Sequence, residues 1–382
     1  MQTSVLVVGA GPVGLAAAGV LLKAGVAVTV IDDQAAGANT SRAAVIHPRT
    51  LEVLETIGVT DELEARGLPI ERFTVRDRDR ALMPIEFGRL PSRYQHILML
   101  PQSVTEQVLR EKLADWGGRV ERPRQLLSLR QSPDDVTATL ADGAEVTADW
   151  VIGADGMHST VRTAAGIDSG TDPSGDGGET FVLADIEATG GLSRTEVTLY
   201  FSRAGMVVAA PLPGGSFRIV AAVTDPPATA TMADIQELLD QRGPQAARAR
   251  VTALLWTSRF RIHHRVARTL RAGRVLLAGD AAHVHSPAGG QGMNLGIRDG
   301  VAVAEALAGL DPSSGDTSAL DAYAVRHRQL AVSVVGLARR LTRMATVPAP
   351  VRPIRNTVLR TASHLPSVGR SLARQLAGLT DS

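Results

Sequence analysis

Residues 4 to 32 admit very few local folds. Ser4 to Val8 is a β-rich run that enters Gly9-Ala10-Gly11-Pro12-Val13-Gly14, and the apolar series Leu15, Ala18, Leu21 and Leu22 follows at helical spacing. Gly25 stops the helix, and Val26 to Ile31 reads as a second buried strand ending at Asp32. This is a complete βαβ unit. Gly9 permits the tight turn, Gly11 lets the backbone approach a pyrophosphate, and Gly14 lets the helix pack close to the strand. Asp32 stands where a carboxylate accepts from ribose hydroxyls, and Pro12 opens a helix whose N-terminal N–H groups suit an anion.

Two later segments repeat the strand-then-glycine pattern. Val136 to Leu140 and Glu145 to Thr147 flank Ala141-Asp142-Gly143, a hairpin signal, and Trp150-Val151-Ile152 then runs into Gly153-Ala154-Asp155-Gly156. Arg274 to Ala278 is a further buried strand ending at Gly279-Asp280, followed by Pro287-Ala288-Gly289-Gly290-Gln291-Gly292 and a helix from Met293, Asn294 and Leu295 to Leu310. That loop has little side-chain bulk, so its backbone can lie against a flat ring, with the positive end of the helix aimed at it. Asp280 is placed to accept from a ribityl hydroxyl. For Asp155 taken alone, a turn or N-cap aspartate is the favoured reading.

Composition narrows the class. At 382 residues, two domains or one with a large insertion are expected. A net charge of +1 gives no reason to invoke nucleic acid, and the lack of cysteine excludes disulfides, thiolate metal sites and a cysteinyl cofactor bond. No leader-like segment or apolar run long enough for a membrane span is seen, so the cytoplasm is the expected location.

Taken together, these motifs resemble the class A flavoprotein monooxygenases, the family of para-hydroxybenzoate and aromatic polyketide hydroxylases. The resemblance covers about the first 330 residues. Gly9, Gly11, Gly14 and Asp32 match the family's dinucleotide fingerprint, and Gly279-Asp280 its FAD ribityl motif. Ser41-Arg42-Ala43 with Pro48 to Glu52 is similar to the flavin-contacting arginine segment. Leu100-Pro101-Gln102 is similar to the segment whose glutamine contacts the ribityl chain. Gly153-Ala154-Asp155-Gly156 matches the motif used for both FAD and NAD(P)H, and Arg218 stands at another flavin-facing position.

The resemblance implies noncovalent FAD, NADPH or NADH as transient reductant, and O₂ insertion into an aromatic or polyketide-like molecule through a flavin C4a-hydroperoxide. It also implies an α/β fold: a discontinuous Rossmann-like FAD domain (1–70, 101–165 and 275–345), an inserted β-sheet substrate domain (71–100 and 166–274) and a helical tail (346–382). Many polyketide hydroxylases add a thioredoxin-like domain; the length here is closer to the smaller hydroxylases. The alternatives are a dehydrogenase of the same fold that leaves oxygen out, and a non-catalytic flavin-binding accessory protein.

Val182 to Ile186, Val197 to Phe201, Val207 to Ala210 and Phe217 to Val223 read as the sheet that roofs the flavin. Tyr200, Arg203 and His47 are the candidate catalytic groups, and the spacing of the histidines, His263-His264 included, suggests no metal. With 3% aromatic residues, a stacking-lined pocket is not evident, and aliphatic walls are expected. In the tail, Ile354, Val358, Leu359, Leu365 and Leu372 alternate with Arg355, Arg360, Arg370 and Arg374. Such a basic amphipathic segment packs on its own domain or a second subunit, or sits on an anionic membrane. A monomer or homodimer is expected.

Overall fold

The computed structural model describes residues 2–37, 43–170, 180–224, 227–261, 264–285, 289–311, 313–345, 347 and 349–379. Arg42, His263 and Pro287 lie outside them. Its helices are α1 (Pro12–Lys23), α2 (Pro48–Leu54), α3 (Thr60–Arg66), α4 (Gln102–Asp115), α5 (Thr160–Ala164), α6 (Met232–Arg242), α7 (Gln291–Ala308), α8 (Ser318–Ala345), α9 (Arg352–Ser363) and α10 (Pro366–Leu376).

An eight-stranded sheet carries the first core. Its parallel part runs Val275–Leu277, Glu145–Gly153, Gln2–Val8, Val28–Ile31 and Val120–Glu121 in spatial order. Leu6 and Val7 are fully buried in its central strand, as expected for a parallel strand covered on both faces. The register pairs Val8 with Gly153 and Gly153 with Leu277. Three segments more than a hundred residues apart therefore end side by side, and their glycine turns share one edge of the sheet. The hairpin strand after Gly143 and the strand into Gly153 are one continuous strand, Glu145–Gly153.

A seven-stranded sheet forms the roof, in the order Arg250–Arg261, Thr180–Thr189, Phe217–Ala222, Gly205–Pro211, Val197–Ser202, Arg72–Asp77 and Arg80–Glu86. Side chains alternate between its faces. Val182, Ala184, Tyr200, Val207 and Ile219 form a core with Ile235 and Leu239 of α6, while Phe181, Leu183, Phe201 and Met206 belong to a second core on the other face. Ile97–Met99 stands outside this sheet, in a three-stranded one, between Val45–Ile46 and Leu68–Ile70. Among the described residues no helix is long and apolar enough to cross a membrane.

Candidate active site

A cavity of about 510 Å³ lies between the glycine-rich edge of the parallel sheet and the inner face of the roof. Gly11, Pro12, Ala154, Gly156 and Asp280 line it from the first, second and third strand ends; Gly290, Gly292 and Met293 line it from the start of α7. The glycines explain the close assembly. Gly9 has φ of 102°, and a Cβ there would lie 2.3 Å from the Ala154 carbonyl oxygen. A Cβ on Gly14 would lie 1.9 Å from the Gly9 carbonyl oxygen, whereas one on Gly11 would meet nothing within 4 Å. Of these three glycines, Gly11 alone keeps space in front of it, where a ligand can approach.

The two helices that begin at this edge, α1 after Gly11 and α7 after Gly290, both lack a side-chain N-cap. Their first-turn N–H groups and positive dipole ends remain available to an anionic group. That donor set fits FAD. α1 suits the pyrophosphate, α7 suits the electron-rich edge of the ring, and Asp280, exposed on the cavity wall, suits a ribityl hydroxyl. Asp32 accepts from the Ala10 N–H at 2.7 Å and the Gln34 N–H at 3.0 Å, which places its carboxylate beside the glycine turn.

Other expected cofactor residues act one step back. Gln102 Oε1 accepts from the Ala43 N–H at 3.3 Å, and Arg218 Nη1 donates to the Ala43 carbonyl at 2.9 Å. Both line the cavity and grip the residue that follows Arg42. Arg218 is 3% exposed and its charge is met by Asp185, which accepts from Nε and Nη2 at 2.7 Å each. Asn294 does not reach the cavity lining. It straps α7 to the neighbouring chain, donating to Val45 and Gly290 carbonyls and accepting from the His47 N–H at 2.7 Å. Asp155 is corrected to the capping role: it accepts from Ser159 Oγ at 2.5 Å and the Val161 N–H at 3.0 Å, while Ala154, Gly156 and Met157 face the cavity. Burial raises its carboxyl above the usual value despite those hydrogen bonds.

The three catalytic candidates fare differently. Tyr200 is corrected: Leu199 and Phe201 line the cavity, so strand alternation sends Tyr200 to the opposite face, into the core under α6. Arg203 is also corrected. It is exposed at the tip between Val197–Ser202 and Gly205–Pro211, and its carbonyl accepts from Arg352. His47 does line the cavity, but burial lowers it to about 4, so it is neutral near pH 7, and its Nε2 lies 2.8 Å from the Gly289 carbonyl. It holds the glycine loop.

The expectation of a pocket poor in aromatics is overturned. Five of the six phenylalanines, Phe73, Phe87, Phe181, Phe201 and Phe260, line the cavity. Phe181 and Phe260 stack at 5.9 Å between centroids. Composition counts residues and carries no information on where they gather. Sequence reading also missed the third wall, in which α8 to α10 contribute Leu337, Leu341, Leu359, Leu372 and Gln375.

A buried polar network beneath the floor was missed as well. Asp299 of α7 is 0% exposed; its Oδ2 receives His283 Nε2 at 2.5 Å and the Gly279 N–H at 3.2 Å, and its Oδ1 receives His327 Nδ1 at 2.7 Å. Burial would raise its carboxyl, but the charge of His283 and the bonds from both histidines hold it well below the usual range. Burial opposes the His283 imidazolium, and Asp299 outweighs it, so His283 titrates above its ordinary value. The network fixes Gly279, and with it the backbone that carries Asp280.

Known proteins resemble this chain in sequence and fold. Residues 2–338 match the family model described as an FAD binding domain. The chain is 38% identical over 361 residues to the 6-methylpretetramide 4-monooxygenase of Streptomyces rimosus, covering 92% of this chain and 63% of that protein. It is 35% identical to a rifampicin monooxygenase of Streptomyces venezuelae, covering 91% and 72%. The chain thus spans about two thirds of the length of these curated relatives. Among solved structures, p-nitrophenol 4-monooxygenase from Pseudomonas putida DLL-E4 superposes with a TM-score of 0.85 at 26% identity, covering 99% and 98% of the two chains. With the glycine edge, two uncapped helix starts and this likeness along nearly its whole length, the chain belongs to the FAD-binding class A aromatic monooxygenase family.

Proposed function

We propose that the protein is an FAD-dependent, NAD(P)H-consuming monooxygenase that hydroxylates an aromatic or polyketide-like small molecule. The observation that carries this reading is the cavity itself: phenylalanine-rich on the roof, aliphatic on the tail side, and bounded below by two uncapped helix starts. A planar apolar substrate fits the upper part, where aromatic faces and methionines offer contact area. Bound FAD would supply hydride acceptance and the activation of O₂.

The chain's own residues divide the remaining work. The Gly9–Gly14 turn, Asp32 and Asp280 bind FAD; Gln102, Arg218 and Asn294 hold the segments around Ala43 and Val45; His47 holds the Gly289–Gly290 turn. The apolar roof excludes water from the reacting face, which suppresses loss of activated oxygen to solvent. In this reading residues 1–70, 101–165 and 275–345 hold the cofactor, and 71–100 with 166–274 hold the substrate, joined by the tail from 346 onward. Arg42 remains in the proposed cofactor set by resemblance. O₂ is the co-substrate, and the protein works as a monomer or homodimer in the cytoplasm.

The test is stimulation of NAD(P)H oxidation in the FAD-loaded protein by a panel holding p-nitrophenol, pentachlorophenol, anhydrotetracycline and rifampicin, chosen from the compounds for which relatives are named. Stimulation by phenolic or polycyclic members supports the proposal. NAD(P)H oxidation that no aromatic compound alters would count against it.

A further inference from the structure

A helix that lines a cavity with one face ordinarily turns a polar face to water. α9 departs from this in part. Its inner side places Leu359 in the cavity wall and Arg355, 9% exposed, over the Phe201 ring at 4.1 Å. Its outer side carries Val351, Ile354 and Val358, continued by Leu365 just past its end, at exposures of 43%, 65%, 59% and 55%. Their spacing of three, four and seven residues aligns them as one stripe. An aliphatic stripe therefore faces water, with Thr357, Arg360 and Thr361 exposed beside it.

Along the chain the charge around the stripe is one-sided, with Asp77 of the roof held on the inner side of α9 by Asn356 Nδ2 at 2.8 Å. From Arg326 to Arg374 the chain holds ten arginines and no aspartate or glutamate, although it is nearly neutral as a whole. The guanidinium bonds that Arg328, Arg352, Arg355 and Arg370 make among the described residues go to neutral acceptors: backbone carbonyls and the Asn356 amide. Arg360, Arg370 and Arg374 stay exposed in the α9–α10 pair. A second copy of this surface would meet it with like charge. An aliphatic stripe on a helix pair with exposed arginines is the composition of an interfacial helix on an acidic bilayer.

We propose that the outer face of α9, with the exposed arginines of α9 and α10, docks on an anionic lipid surface. Docking would set the cavity wall formed by Leu359 one helix thickness from the bilayer, a phase in which apolar aromatic compounds collect. The docking itself does not depend on the proposed activity.

The experiment is sedimentation of the full chain with vesicles of phosphatidylcholine, with and without phosphatidylglycerol. The protein should co-sediment with the anionic vesicles at low salt, and at least about tenfold less with the neutral ones or at high salt. The double variant Ile354→Ser, Val358→Ser should lose at least about tenfold in anionic-vesicle binding, with FAD content and melting temperature unchanged. Failure to bind anionic vesicles overturns the proposal. So does binding that the double variant retains, since charge alone would then account for it. A dimer in solution that the same variant converts to monomer would assign the stripe to a second copy and also overturn it.

Discussion

Asp299 accepts from His283 at 2.5 Å in a site that excludes water from both side chains. The pair lies below the cofactor floor, where its other bond holds the Gly279 N–H. Removing one member of such a buried pair leaves the other uncompensated, a loss on the order of 3–5 kcal/mol. Asp299→Asn should therefore lower the melting temperature strongly, and FAD affinity with it, because Gly279 and Asp280 lose their support. A variant that melts like the wild type would remove the network from the account.

The same pair predicts a pH dependence. His283 titrates above 6.5 in the folded protein, so its stabilisation is full below that value and is lost as pH rises through the raised one. Asp299 is depressed, so its share is present above the ordinary carboxylate value and is lost only in strong acid. Melting curves of the wild type should therefore decline above pH 6.5 by an increment that His283→Gln lacks. Identical pH profiles would contradict this.

Asp280, exposed on the cavity wall, is a proposed cofactor contact. A charge-assisted bond to a ribityl hydroxyl contributes about 1.5–3 kcal/mol, so Asp280→Ala should weaken FAD roughly 10- to 150-fold. Melting of the apoprotein should be unchanged. If stability falls and FAD affinity does not, Asp280 only shapes its turn.

Gln375 supplies an amide from α10 to an otherwise apolar stretch of wall. Replacing it with leucine should raise the KM for a hydroxylated aromatic substrate by about 2- to 10-fold, the value of one neutral hydrogen bond. The FAD content should not move. Tyr200→Phe serves as the counterpart: since Tyr200 faces away from the cavity, turnover should stay within about twofold of wild type. A large loss in that variant would place Tyr200 back in the chemistry.

The cofactor floor was readable because it rests on local rules. Gly9, Gly153 and Gly279 sit at or just past the ends of strands that the apolar pattern marks, and Gly14 in the first turn of α1, each where backbone approach or positive φ demands glycine. The roof was readable only as strands. Arg250–Arg261 was missed because its half-buried, arginine-bearing alternation resembles a solvated segment. Which face of the roof looks inward depends on register between distant strands, and so the sequence left open which way Tyr200 faces. Asp299 and His327 lie 28 residues apart on separate helices, and no periodicity announces their contact. The tail illustrates a third limit. Its amphipathic pattern was plain, but that Leu359 and Gln375 close the cavity follows from how α9 and α10 pack across the roof.

The proposed activity inserts oxygen into an aromatic ring held under the phenylalanine roof. Turnover of a stimulating phenol by the FAD-loaded protein with NADPH under isotopically labelled O₂, followed by mass spectrometry of the product, tests it most directly. The account predicts one labelled oxygen atom per product molecule, and loss of that product on filling the roof with Leu183→Trp while FAD remains bound. An oxidised product without label, formed as NADPH is consumed, would contradict it and point to a dehydrogenase.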